Sequence, residues 1–121
     1  MDYIFDNERP IYIQLVELIK AEIISGRLKQ GEKIPSVREL ALNAKVNPNT
    51  VQKALAELER DKLIYTERTN GKFVTTDKNI IKKFKADIIN EKVGCFVTDM
   101  KNIGISTDEI IEYLQKEERN G

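Results

Sequence analysis

The sequence contains no histidine and only one cysteine, Cys95, in 121 residues. Such a chain cannot close a disulfide on itself, and the nitrogen and sulfur ligand sets that usually hold zinc cannot be assembled. There is no nucleophile elbow, no glycine-rich phosphate loop and no cluster of metal-ligating side chains. Acidic pairs such as Asp108 and Glu109 sit where a helix N-terminus draws negative charge. These gaps argue against an enzyme and against a cofactor or metal. No apolar run approaches the roughly 20 residues of a bilayer span, and Met1-Asp2-Tyr3-Ile4-Phe5-Asp6 has neither the basic segment nor the apolar run of a secretory signal. The reading is of a cytoplasmic protein with no membrane contact, in which Cys95 is a small buried thiol. Net charge is missing too, since 20 Lys plus Arg balance 20 Asp plus Glu.

What is present is helical punctuation. At this length the chain suits one modest domain, or a small domain with an added element that needs a partner to cover it. Tyr3, Ile4 and Phe5 suggest a short arm against the body. From Pro10, apolar residues at Ile11, Leu15, Leu18, Ile19 and Ile23 recur at helical spacing, leaving Gln14, Glu17, Lys20 and Glu22 on the wet side, and Gly26 supplies the stop. A loop containing Gly31 leads to Pro35. Ser36 with Glu39 forms a capping box for a helix that turns Val37, Leu40 and Ala41 inward. Asn43-Ala44-Lys45 leaves room only for a tight turn before Asn47, a second cap, with Pro48 at the first helical position. The next helix buries Val51, Ala54, Leu55 and Leu58 and faces Asn49, Gln52, Lys53 and Glu57 outward. Two capped helices joined this tightly have the form of a helix-turn-helix whose second helix reads DNA.

Two strand-like runs around Asn70-Gly71 then predict a hairpin with a type I′ turn. Its tip carries Arg68, Thr69, Asn70 and Lys72, all able to meet a phosphate. The fold class is therefore mostly α with a small β-hairpin, a winged helix-turn-helix over residues 1–76. Residues 77–121 form a two-helix dimerisation region. A long helix over residues 78–102 repeats Ala86, Ile89, Val93, Phe96, Met100 and Ile103 at heptad-like spacing, with Ile81, Phe84 and Ile88 as a second edge. It would be about 37 Å long, more than a small winged domain can cover. Gly104 and Ile105 end it, Ser106 and Glu109 form another capping box, and the last helix puts Ile110, Ile111 and Leu114 on one face before a polar tail that frays from Lys116.

Pro10-Ile11-Tyr12-Ile13-Gln14-Leu15, Ile24-Ser25-Gly26-Arg27-Leu28, the run from Gly31 to Ala41, and Val46-Asn47-Pro48-Asn49-Thr50-Val51 through Leu63-Ile64 together resemble the GntR family of bacterial transcription regulators. The short C-terminal part is similar to its YtrA-like subfamily. The resemblance covers residues 10–75 and implies a homodimeric repressor on double-stranded operator DNA, with the second helix in the major groove and the wing at the minor groove. It places Arg38 at the helix-two arginine that contacts DNA and Asn47, Asn49, Thr50 and Gln52 where base-reading and phosphate-binding side chains lie; Ser36, Lys53 and the wing's Arg68, Asn70 and Lys72 complete the expected DNA-contacting set. Two departures stand out: Pro48 replaces an arginine common in relatives, and Thr69 replaces the first glycine of the wing.

Each of these residues has a plainer reading. Arg38 could pair with Glu39, Asn47 could be a cap alone, and Gln52 and Lys53 could be solvated. Local charge favours the DNA reading modestly, because Arg27, Lys29, Lys33, Arg38, Lys45 and Lys53 stand against only Glu32 and Glu39 between residues 27 and 54. The apolar seam, with Ile110 and Leu114, is read as a surface for a second copy of the chain. The alternative to a DNA-binding regulator is a winged-helix module that docks another protein. No deep ligand pocket is expected, and the small-molecule effector is left unknown.

Overall fold

Pro10 sets the backbone just before the first helix, and the elements follow in the order α1 (Ile11–Ser25), α2 (Val37–Ala44), α3 (Pro48–Arg60), β1 (Ile64–Glu67), β2 (Gly71–Val74), α4 (Lys78–Asn102) and α5 (Thr107–Asn120). They are described by a computed structural model that covers residues Met1–Gly121. The architecture is mostly helical, with one antiparallel hairpin after the helix-turn-helix and two helices beyond it. The chain divides into two compact units, Met1–Phe84 and Lys85–Gly121.

In the first unit the core gathers the residues that helical spacing selects. Leu15 and Ile19 of α1, Leu40 of α2, and Val51, Ala54, Leu55 and Leu58 of α3 meet Leu63, Ile64 and Val74 from the hairpin. Removing such side chains from water is the main force holding the unit together. Tyr3 and Phe5 pack on this core while Ile4 stays 86% exposed, an extended arm with alternating faces. The first turns of α4 contribute Ile80, Ile81 and Phe84 to the same packing. Lys20 of α1 ties the ends together, with its Nζ 4.0 Å from Asp61 and 4.9 Å above the Phe84 ring.

Several expectations give way to longer-range contacts. Gln14, assigned by spacing to the wet face, is only 6% exposed. Its Oε1 accepts from Asp6 N–H at 2.8 Å, and its Nε2 donates to the carbonyls of Asp6 at 3.0 Å and Arg9 at 2.9 Å. The amide is buried because the N-terminal arm folds over α1 and leaves backbone groups that need partners. The segment before α2 is more than a loop. Gly31 N–H donates to Val74 O, Val74 N–H to Glu32 O and Ile34 N–H to Lys72 O, so the segment pairs the outer edge of β2, with Lys33 opposite Phe73. An unpaired edge invites intermolecular pairing, and this strand-like segment covers it.

The hairpin turn also differs. Ile64 pairs with Val74 and Glu67 with Gly71, so Arg68, Thr69 and Asn70 form a three-residue connection. Asn70 N–H donates to Glu67 O at 3.1 Å. Only Gly71, at φ 110°, takes a positive φ there. A type I′ turn centred on Asn70 and Gly71 would need both residues in that region, and Asn70 is not in it. Further on, α2 runs through buried Ala44, and Lys45 at φ 57° makes the turn.

In the second unit Gly104 at φ 80° ends α4, and Ile105 N–H donates to Met100 O at 2.9 Å. The Ser106–Glu109 capping box starts α5, which continues to Asn120 instead of fraying at Lys116. The stretch from Gln115 to Arg119 lacks glycine and proline and consists of good helix formers, which carry the helix on. Cys95, read as buried, is exposed, because nothing on α4 is fully buried in a single chain.

Gln14→Leu keeps the size of the side chain and strips the Asp6 and Arg9 backbone groups of their partners. Urea unfolding is expected to show a loss of about 2 kcal/mol. A loss below about 0.5 kcal/mol, typical of surface changes, would mean that the amide is not holding the arm.

Candidate nucleic-acid interface

The helix-turn-helix is built by local hydrogen bonds. Ser36 Oγ accepts from Glu39 N–H at 3.1 Å, and Glu39 Oε1 accepts from Ser36 N–H at 3.2 Å. This capping box decides the state of Arg38. Glu39, its plainest partner, is committed to the cap, and Arg38 is exposed and makes no ion pair. At the turn Val46 N–H donates to Ala41 O at 3.1 Å. Asn47 Oδ1 then accepts from Asn49 N–H at 2.8 Å, so this side chain is a cap at the start of α3.

With Val51, Ala54, Leu55 and Leu58 turned inward, α3 presents Asn49, Gln52 and Lys53 to solvent at spacings of three and one, which places them on one face. Thr50 lies off that stripe and is half-buried. Lys53 is exposed but held, with its Nζ 3.9 Å above the Tyr12 ring of α1. Ser36, like Asn47, spends its side chain on a cap. Leu42, exposed on α2, lines a shallow apolar depression with Val37, Val46 and Pro48 beside Arg38. The spacing of core residues on α2 gave no signal for it.

The wing divides into a free tip and a tethered body. Arg68 is exposed without an ion pair, and Asn70 Nδ2 donates to Glu67 Oε2 at 3.3 Å. Lys72, grouped with them by sequence, has partners within the protein. Its Nζ lies 2.8 Å from Thr66 Oγ1, its cross-strand neighbour, and 3.2 Å from Glu59 Oε2 near the end of α3. Thr66 Oγ1 also donates to Glu59 Oε1. The Thr66 hydroxyl, and after it Lys72, hold the Glu59 carboxyl below the usual carboxylate range against the opposing pull of burial. On the opposite face of the hairpin, Tyr65 and Phe73 stack with centroids 5.7 Å apart. Lys33, not singled out by the sequence, lies beside the wing turn. It is exposed, makes no ion pair, and its Cε lies 3.0 Å from where a Cβ on Gly71 would stand. Only its membership of a basic run could have marked it.

In the second unit Ile89, Val93, Phe96, Ile103 and Leu114 are exposed large apolar residues. Ala86 is exposed and Met100 is half-buried. Ile110 differs, being 6% exposed within the single chain.

Comparison with known proteins follows this geometry. The profile of bacterial regulatory proteins of the gntR family matches residues 11–74. The HTH-type transcriptional regulator YhcF of Bacillus subtilis is 36% identical over 95% of both chains. The HTH-type transcriptional repressor YtrA of the same organism is 35% identical over 91% of this chain and 85% of its own. Among solved structures, a GntR family transcriptional regulator from Listeria monocytogenes superposes with a TM-score of 0.87 at 43% identity, covering 93% of this chain and 98% of that one. The DNA-binding domain of AraR in complex with operator ORX1 superposes with a TM-score of 0.57 at 29% identity, covering 62% of this chain and 96% of that one.

The lowered Glu59 pKa fixes the sign of a pH dependence. The folded carboxyl binds its proton more weakly than the unfolded one, so the network adds stability above the ordinary carboxylate range and loses it as pH falls through the folded pKa. Thermal midpoints of wild type and Glu59→Gln, compared from about pH 7 down to about pH 3, are expected to converge in acid. A gap that does not change with pH would remove Glu59 ionisation as its source.

Proposed function

Because the chain belongs to the gntR family of bacterial regulatory proteins and is a DNA-binding transcriptional regulator, we propose that it works as a homodimeric repressor on a two-fold symmetric operator. Residues 1–76 bind DNA. The N-terminal half of α3 enters the major groove with Asn49, Gln52 and Lys53, Thr50 flanks it, and Arg38 approaches from α2. Ser36 and Asn47 cap their helices close to the phosphate backbone. The wing tip, with Arg68 and Asn70, reaches the minor groove. The observation that carries this reading is the exposed stripe of α3 beside an Arg38 left without an internal partner. A guanidinium with no carboxylate to satisfy it is available for phosphate or base edges. The similar AraR DNA-binding domain, solved in complex with operator ORX1, supports operator DNA as the partner. The similarity to the transcriptional repressor YtrA supports repression over activation.

Residues 77–121 pair two copies through Ala86, Ile89, Val93, Phe96, Met100, Ile103, Ile110 and Leu114. Support comes from the exposure of Val93 at 53% and Phe96 at 41% on a helix with no buried residue. A contiguous apolar face is costly to leave in water. Two recognition helices joined in this way read half-sites about one helical turn apart. Bound over a promoter, the dimer blocks polymerase.

A gel shift on DNA upstream of the protein's own operon tests the reading. Arg38→Ala and Thr50→Ala are expected to weaken binding, Arg38→Ala by about 1–3 kcal/mol. Wild-type affinity in both, or no shift with the unaltered protein, would favour a module that docks proteins instead. Light scattering is expected to give twice the chain mass of 13.9 kDa for wild type. Phe96→Glu is expected to give the single-chain mass and to lose tight DNA binding. A monomeric wild type that still binds tightly would refute the paired arrangement.

A further inference from the structure

We propose that Lys72 is a positioning residue that fixes the wing against the end of α3, and that Lys33 supplies the phosphate-directed charge that Lys72 would otherwise bring to the wing. The proposal rests on the DNA-binding reading above and divides the wing's cations into two roles.

The observations are geometric. Thr66 and Lys72 are directly paired across the hairpin, on the strand face that also carries buried Ile64 and Val74. From that face Lys72 Nζ reaches both Thr66 Oγ1 and Glu59 Oε2. Glu59 lies one residue before the end of α3, so the three side chains link β1, β2 and the recognition helix. An ammonium with a carboxylate and a hydroxyl already in reach has two of its three protons in use, and turning it toward a phosphate would strip Glu59 of its counter-charge. A phosphate brought to Lys72 would also meet the Glu59 carboxylate beside it. The angle of the hairpin on α3 is therefore held by a charge pair that joins the wing to the C-terminal end of the helix whose N-terminal half is proposed to enter the groove.

Lys33 has the opposite character. It sits on the segment that pairs the outer edge of β2, opposite Phe73, and its side chain runs along the backbone of Gly71 at the wing turn. No carboxylate lies within ion-pair distance of it. Gly71 leaves room for that stem, since a Cβ there would stand 3.0 Å from Lys33 Cε. With Arg68 at the tip, Lys33 gives the wing a second free cation that comes from outside the hairpin.

The test measures binding of full-length variants, by fluorescence anisotropy across a salt series, to a labelled duplex selected from a random-sequence pool by the wild-type protein. Lys33→Met is expected to reduce the slope of log affinity against log salt by about 0.9, the loss of one phosphate contact. Lys72→Met is expected to weaken binding by about fivefold with the slope unchanged, as loss of an exposed ion pair allows. Glu59→Gln is expected to match it, and the double variant to be no worse than either single one. Lys72→Arg, which keeps the pair, is expected to bind like wild type. A reduced slope in Lys72→Met, tighter binding by Glu59→Gln, or an unchanged slope in Lys33→Met would each overturn the assignment. If no duplex is selected, the DNA-binding reading itself fails. The Glu59–Lys72 link is then judged separately, by a double-mutant cycle on urea unfolding, where additive losses would refute it.

Discussion

The packing of α3 against α1 is the contact on which the rest of the structure depends. Leu15 and Ile19 from one helix and Val51, Ala54 and Leu58 from the other are almost wholly removed from water. Ala54 sits fully buried in the core among larger side chains. A helix turns by a fixed angle per residue, so settling which face of α3 is buried also settles which face is presented. Asn49, Gln52 and Lys53 are outward because Val51, Ala54, Leu55 and Leu58 are inward. Lys53 is tied even more directly, since its ammonium rests on the Tyr12 ring of α1. The exposed face of α3 is thus the complement of the core.

The wing depends on the same helix at one remove. Its two strands are too short to be stable alone, and three supports compensate. Ile64 and Val74 are buried with the end of α3, the segment from Gly31 to Ile34 pairs the open edge, and Glu59 reaches from α3 to Thr66 and Lys72. Stability and presentation are again coupled, because the side chains that steady the hairpin also set its angle.

The second unit follows a different economy. Local signals specify its helices fully, with a left-handed Gly104 closing α4 and a capping box opening α5. Yet Ile110 is its one buried residue, and a row of large apolar side chains stays in water. Helix propensity and capping can define such elements, but most helical stability comes from packing an apolar face. That imbalance leaves its apolar row uncovered in the single chain.

What the sequence determined by itself is carried by interactions within about one helical turn. The Ser36–Glu39 and Ser106–Glu109 boxes, the Asn47 cap before Pro48, the stops at Gly26 and Gly104, and the inward positions of α3 were all legible, because each rests on neighbours in the chain. The exposed face of α3 was legible for the same reason. Tertiary structure alone decided what came to meet those elements. Gln14 was drawn into the core by an arm eight residues away, Lys72 was claimed by Glu59 thirteen residues back, and Lys33 was carried to the wing turn by strand pairing. Periodicity states which way a side chain points, but the partner waiting there is set by where distant segments pack. For the cations beside the wing turn, that partner separates Lys33, which has no carboxylate near it, from Lys72, which Glu59 and Thr66 already engage.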